Sequence, residues 1–194
     1  MAIKYTLQGL LIYIVMAAYL FAFLTTVLGR KKTGRVFYLT GFIIAMIAFG
    51  YRWYDIRHVP FQNMFEVFLS MGMMLYPLSI FCRRVLRVGG EATDMLIGAI
   101  LLFPAGFVFH AAPERLPPAL QSWLFTPHVA AYLISYVILA MAAIQAFCQI
   151  NDKAGNTNKD FIDHETGTYR MICFGFPFLT LGLILGSWWG KLAW

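Results

Sequence analysis

The chain has 194 residues, of which 60% are hydrophobic and only 12% charged, with 15 Lys and Arg against 9 Asp and Glu. Soluble domains carry roughly 45–50% apolar and about 25% charged residues, so a water-soluble domain is excluded and lipid is the expected solvent. The net charge of +6 does not point to nucleic acid either. Its Lys and Arg collect in short loops between apolar runs, as cationic loops do when they are retained on the cytoplasmic side during insertion.

A spanning helix needs about 20 mostly apolar residues. Six runs qualify: 7–28, 35–51, 61–82, 93–111, 127–149 and 169–188. They predict an all-α fold, a polytopic transmembrane helical bundle forming one membrane domain over residues 1–194. The first run is too long for a signal-peptide core and has no cleavage pattern, so it is expected to stay as a helix. The second and fourth are short, which suits little tilt or an end in the interface. The longest connections are 112–126, rich in proline, and 150–168, which is polar. There is no internal repeat.

Orientation follows from the loops. One side collects Arg30, Lys31, Lys32, Arg35, Arg83, Arg84, Arg87, Lys153, Lys159 and Arg170, and the other Lys4, Arg52, Arg57, Arg115 and Lys191. Ten against five assigns the first side to the cytoplasm and puts the N-terminus and residue 194 on the outer (periplasmic or lumenal) side. Trp53, Trp123, Trp188, Trp189 and Trp194 all fall on that outer side, and Cys82, Cys148 and Cys173 at cytoplasmic helix ends. Tryptophan belts normally form at both interfaces, so a one-sided set suits either anchoring or an outer surface for something flat and apolar. The cysteines read as small hydrophobes in a reducing compartment, and no Cys-x-x-Cys pair supports a redox or zinc motif.

In chain order, the first candidate constellation is HVPFQNMFEVFLS, residues 58–70. Pro60 suits the first turn of a helix, after which Asn63, Glu66 and Ser70 share a face. A carboxylate about a turn and a half below the boundary is costly and must be paired. Arg52 or Arg57 is within reach, so structural pairing and a role in a site both stay open for Glu66. The second is the helix PHVAAYLISYVILAMAA opening at Pro127, where His128, Tyr132 and Ser135 make a polar-aromatic stripe. Its plain alternative is an interhelical hydrogen-bonding seam. His58, His110 and His128 all sit at outer helix ends, and His164 in the cytoplasmic loop. Imidazole is the commonest haem axial ligand, and aromatic rings pack on porphyrins.

At these residues the sequence resembles the CcsA/ResC family, the haem-handling membrane proteins of the system II cytochrome c synthase. HVPFQNMFE is similar to the family's His-x-Pro-x-x-Asn-x-(Tyr/Phe)-Glu segment. PALQS, residues 118–122, PHVAAYLISY, and GFPFLTLGLILGSWWGKLAW, residues 175–194, follow in the family's order. The likeness covers roughly residues 40–194. It implies haem transport to the outer face, with haem b as ligand or substrate, and its presentation to apocytochrome c for thioether formation. It also implies a CcsB/ResB-type membrane partner and a bacterial inner membrane or a thylakoid. By the same resemblance, His128 is the first of two external histidines that flank a Trp-rich signature. The chain reaches Trp194 where that signature would begin, so the domain is expected to be incomplete at its C-terminus.

The expected cofactor-binding set is His128, Tyr132, Trp189, His58, Asn63 and Glu66, with His128 the candidate axial ligand of haem iron and no catalytic residue assigned. The reading leaves open whether the chain is an enzyme; if so, it is part of a haem–apocytochrome c synthase. The alternative is a structural or transporter-type subunit of a membrane complex. A transporter path would need polar residues continuing inward, and these thin out after Ser70. A membrane b-type cytochrome would hold its histidines within the spans.

Overall fold

The computed structural model describes residues 6–113, 116–151 and 162–193. These form six helices and no strand: α1 (Leu7–Val27), α2 (Lys31–Ile56), α3 (Met64–Phe81), α4 (Glu91–Phe107), α5 (Phe125–Asn151) and α6 (His164–Ala193). A π-helical turn, Cys82–Leu86, extends α3, and a 3₁₀ turn, Pro118–Leu120, precedes α5. Five of the six helices are long and apolar enough to cross a membrane. The exception is α4, whose 17 residues rise about 26 Å, short of a hydrocarbon core of about 30 Å.

Several ends differ from the sequence reading. The helix α2 runs from Lys31 to Ile56 rather than 35–51, because hydropathy marks the lipid-buried part of a helix whereas hydrogen bonding continues through Lys31–Gly34 and Arg52–Ile56. Likewise α6 begins at His164, where Asp163 accepts the Thr166 N–H at 3.0 Å; that bond holds the Asp163 carboxyl below its usual range. Cys173 therefore lies some turns inside α6 rather than at its end. The start of α3 is Met64, not residue 61, because Asn63 caps it and Pro60 stays in the preceding turn.

The helices alternate in direction. α1 packs against α2 and α4, α3 against α2, α4 and α5, and α6 pairs with α5 at the edge of the bundle. Two apolar cores result, one among α1–α4 around Tyr19 and Leu102, the other around Leu75, Leu133 and Ile138. Large side chains such as Leu24, Ile47, Phe176 and Ile184 remain exposed on the outside. Such a surface is unstable in water and ordinary in lipid; the chain is an integral membrane protein.

Small residues set the spacing of the helices, as is usual where lipid leaves no hydrophobic drive between them. Fully buried Tyr19 shows how. Its ring lies between Gly41 of α2 and Gly98 of α4, where an added Cβ would come within 2.6 and 2.5 Å of it, and its hydroxyl donates to the Gly72 carbonyl at 3.1 Å. Gly98→Ala should therefore destabilise the bundle by about 1–3 kcal/mol through overpacking. Gly50→Ala, with nothing within 4 Å of the new carbon, should be neutral or slightly stabilising. Thermal unfolding in detergent checks both.

Candidate functional site

One end of the bundle carries the starts of α3 and α5 and the ends of α2, α4 and α6. His58, His110, His128, Trp53, Trp123, Trp188 and Trp189 all lie there. Trp194 lies outside the described residues, as do Lys4, Arg115, Lys153 and Lys159 of the charge count.

His128 stands in the first turn of α5 and points at α6. Its Nδ1 is 2.8 Å from the Gly182 carbonyl oxygen. A carbonyl only accepts, so Nδ1 carries a proton, and in the neutral ring Nε2 then holds the lone pair. The ring sits in a notch on α6: a Cβ on Gly186 would come within 2.4 Å of it, and one on Gly182 within 3.0 Å of Tyr132. Trp189 lies nearly parallel to the imidazole at 5.9 Å between centroids, and Tyr132 meets it edge-on at 4.8 Å. Tyr136 continues the column, stacked on Tyr132 at 5.4 Å. The stripe expected from the sequence thus passes through Tyr136; Ser135 is buried elsewhere, its hydroxyl without a hydrogen bond among the described residues. Trp123 and Trp188 make a further edge-on pair.

The notch was not anticipated from the sequence. The signal was present in Gly182-Leu-Ile-Leu-Gly186, a pair of glycines four residues apart that lets two membrane helices approach closely. It is unreadable until the partner helix and the wedged residue are known.

His58 lies on the turn before α3. It borders a cavity of about 390 Å³ with Trp53, Trp123 and Phe125, next to the turn from which His128 rises. His110 opens instead onto a larger cavity, about 820 Å³, between the ends of α1, α2 and α4. The two histidines therefore face different spaces. Among the described residues, no three His, Cys, Asp or Glu side chains group as a metal cage.

Asn63 and Glu66 lie away from the α5–α6 notch. They form a reciprocal cap: the Asn63 side chain accepts the Glu66 N–H at 3.0 Å, and Glu66 Oε2 accepts the N–H groups of Asn63 and Gln62 at 3.4 and 2.8 Å. Glu66 Oε1 accepts Arg52 Nε at 3.0 Å and Nη2 at 2.8 Å, with the two side chains 1% and 2% exposed. Arg52 also donates to the carbonyls of Ala111 and Ala112 at 2.7 and 3.1 Å. Of the two arginines within reach in sequence, Arg52 is the partner, and Arg57 lies over the Tyr54 ring. The ion pair clamps α2, α3 and the segment after α4 together. Ser70 returns its hydroxyl to the Glu66 carbonyl at 2.7 Å. Contrary to the expected thinning after Ser70, buried polar groups recur at the opposite end: Ser79 donates to Asp94, and Gln145 donates to the Gly89 carbonyl at 2.7 Å.

Comparison with known proteins gives a consistent picture. A family model described as "Cytochrome C assembly protein" matches residues 57–194. The chain is similar to the "Cytochrome c biogenesis protein CcsA" of Chlamydomonas reinhardtii, 29% identical over an alignment of 158 residues that covers 74% of this chain and 44% of that protein. It is 26% identical to the protein of that name from Guillardia theta, over 84% of this chain and 66% of the relative. For the one from Prochlorococcus marinus the figures are 26%, 96% and 71%. The chain thus spans less than two thirds of the first two relatives. No solved structure matches.

Proposed function

The chain belongs to the cytochrome c assembly protein family, and from that premise we propose that it serves cytochrome c biogenesis, holding haem at the His128 end of the bundle for delivery to apocytochrome c. His128 acts as an axial ligand, and this end faces the periplasm or lumen, opposite the basic loops. A CcsB/ResB-type protein is the membrane partner. Haem bound there supplies the vinyl groups to which the client's thiols add.

One observation carries the reading: the Gly182 carbonyl fixes the His128 proton on Nδ1. In the neutral ring that makes Nε2 the nitrogen free to bind iron, with the other ring nitrogen hydrogen-bonded as in most metal-ligating histidines. Trp189 and Tyr132 supply flat apolar walls, and the cavity beside His58 extends the aromatic surface. Asn63 and Glu66 act at one remove, by fixing the α2–α3 turn that carries His58.

A mere hydrogen-bonding seam between α5 and α6 would account for the same contact but predicts no haem. Titrating haem into the detergent-solubilised chain, read at the Soret band, separates the two. The wild type should give an imidazole-ligated spectrum. Gly186→Ala, which pushes into the His128 ring, should weaken binding by about tenfold, the loss typical of disturbing a ligand's supporting shell. Gly190→Ala, with nothing within 4 Å of the new carbon, should bind as the wild type does. Equal binding by both variants would remove the notch from the site, and no spectral change in the wild type would refute the reading.

A further inference from the structure

We propose that the half-open cavity between α2, α3 and α4 at the end farthest from His128 is a phosphoryl-anion site that holds the headgroup of an anionic phospholipid. It measures about 320 Å³ and is lined by Arg35, Arg83, Arg84, Glu91, Tyr38 and Tyr76, with Ile80 as an apolar wall. The three guanidinium groups come from two elements distant in sequence. Arg35 is in the second turn of α2, while Arg83 and Arg84 are neighbours on the π-helical turn after α3. Turns of that kind are rare and often mark functional positions.

The charges do not cancel. Glu91 accepts Arg35 Nε through both oxygens, at 3.0 and 3.1 Å, and also accepts Arg83. One carboxylate therefore serves two guanidinium groups. Asp94, the other acid nearby, is buried and receives the Ser79 hydroxyl. Arg84 has no partner among the described residues. Even with both acids counted as ionised, three cations against two anions leave a net positive charge in the cavity.

A second observation is independent of charge. Tyr38 is 1% exposed and lines the same cavity, and its hydroxyl has only a weak contact with Ser79 and no hydrogen bond of normal geometry among the described residues. A buried donor so poorly paired costs free energy, and a phosphoryl oxygen in the cavity would satisfy it. Basic loop residues held merely at a membrane surface would need neither a cavity between helices nor a buried, poorly paired donor in its wall. Guanidinium forks match phosphoryl oxygens in geometry. The cavity also lies at the helix ends, the level at which headgroups sit, and basic pockets between membrane helices bind anionic headgroups.

The test uses the purified chain in non-ionic detergent, with bound lipid read by native mass spectrometry and by thermal stabilisation. Phosphatidylglycerol should bind and stabilise, and phosphatidylcholine should not. Arg84→Gln removes a side chain without an internal partner and should lower phosphatidylglycerol affinity roughly fivefold. Tyr38→Phe keeps the buried ring and should lower it further. Lys31→Gln with Lys32→Gln, which removes exposed charge outside the cavity, should change nothing. Wild-type affinity in both Arg84→Gln and Tyr38→Phe would overturn the site. So would an equal loss in the lysine pair, which would mark general surface attraction. Stabilisation by inorganic phosphate equal to that by phosphatidylglycerol at the same concentration would overturn the lipid as the source of the anion.

Discussion

Replacing His128 with alanine should lower haem affinity by more than roughly 100-fold, exceeding the 10–100-fold range for groups that merely support a ligand, and should abolish client maturation. The expectation rests on the tautomer. With Nδ1–H committed to the Gly182 carbonyl at 2.8 Å, Nε2 is the only imidazole atom able to bind iron. Alanine removes it and leaves Trp189, Tyr132 and the glycine notch in place. The resulting hole is the shape of an imidazole ring, so added imidazole should restore part of the Soret signal. A side chain that served only to join α5 and α6 would show no such rescue. The variant should still fold, because it loses one hydrogen bond worth about 1 kcal/mol and the ring contacts with Trp189 and Tyr132 at a half-buried edge of the bundle. An unchanged haem spectrum together with normal cytochrome c levels would sink the assignment.

The second large effect concerns stability. Glu66→Gln should cost about 3–5 kcal/mol, the usual loss when one partner of a buried ion pair is removed. Four donors point at this carboxylate: two from Arg52 and the N–H groups of Gln62 and Asn63. In the amide, one end becomes a donor itself and must face either the guanidinium or the backbone N–H groups. The Arg52 charge is left with Asp55, 3.9 Å away and 45% exposed, and with two carbonyls. The protein should unfold at a markedly lower temperature in detergent and accumulate poorly in the membrane. Arg52→Met combined with Glu66→Leu should recover part of the loss, since it leaves no unpaired charge. If Glu66→Gln instead lost haem binding at unchanged thermal stability, Glu66 would belong to the haem site rather than to the clamp.

The two effects separate residues that look alike in the sequence. Glu66 and His128 are both ionisable groups near helix starts on the same face of the bundle. Burial distinguishes them. Glu66 is 1% exposed and each of its oxygens accepts two hydrogen bonds, which favours the clamp as its role. His128 is only half-buried, has one nitrogen used by the backbone of α6, and is bordered by aromatic faces. Asn63 is drawn into the clamp with Glu66 by the reciprocal cap, which the three-residue spacing allowed but did not require.

Composition and apolar run length alone determined that this is a helical membrane protein, because about 20 consecutive apolar residues have few other stable uses. Short-range pattern also brought His128 and Tyr132 onto one face, since side chains four apart on a helix stack by geometry. The extent of α2 was not legible, because hydropathy reports the lipid-buried part of a helix and not its hydrogen bonding. Nor were the notch at Gly182 and Gly186, the choice of Arg52 over Arg57 as the partner of Glu66, or the gathering of Arg35 with Arg83, Arg84 and Tyr38. Each of these depends on which helices pack together and at what rotation. That is decided by the fit of small residues against large ones across interfaces between segments far apart in the chain, a long-range property that no local spacing encodes.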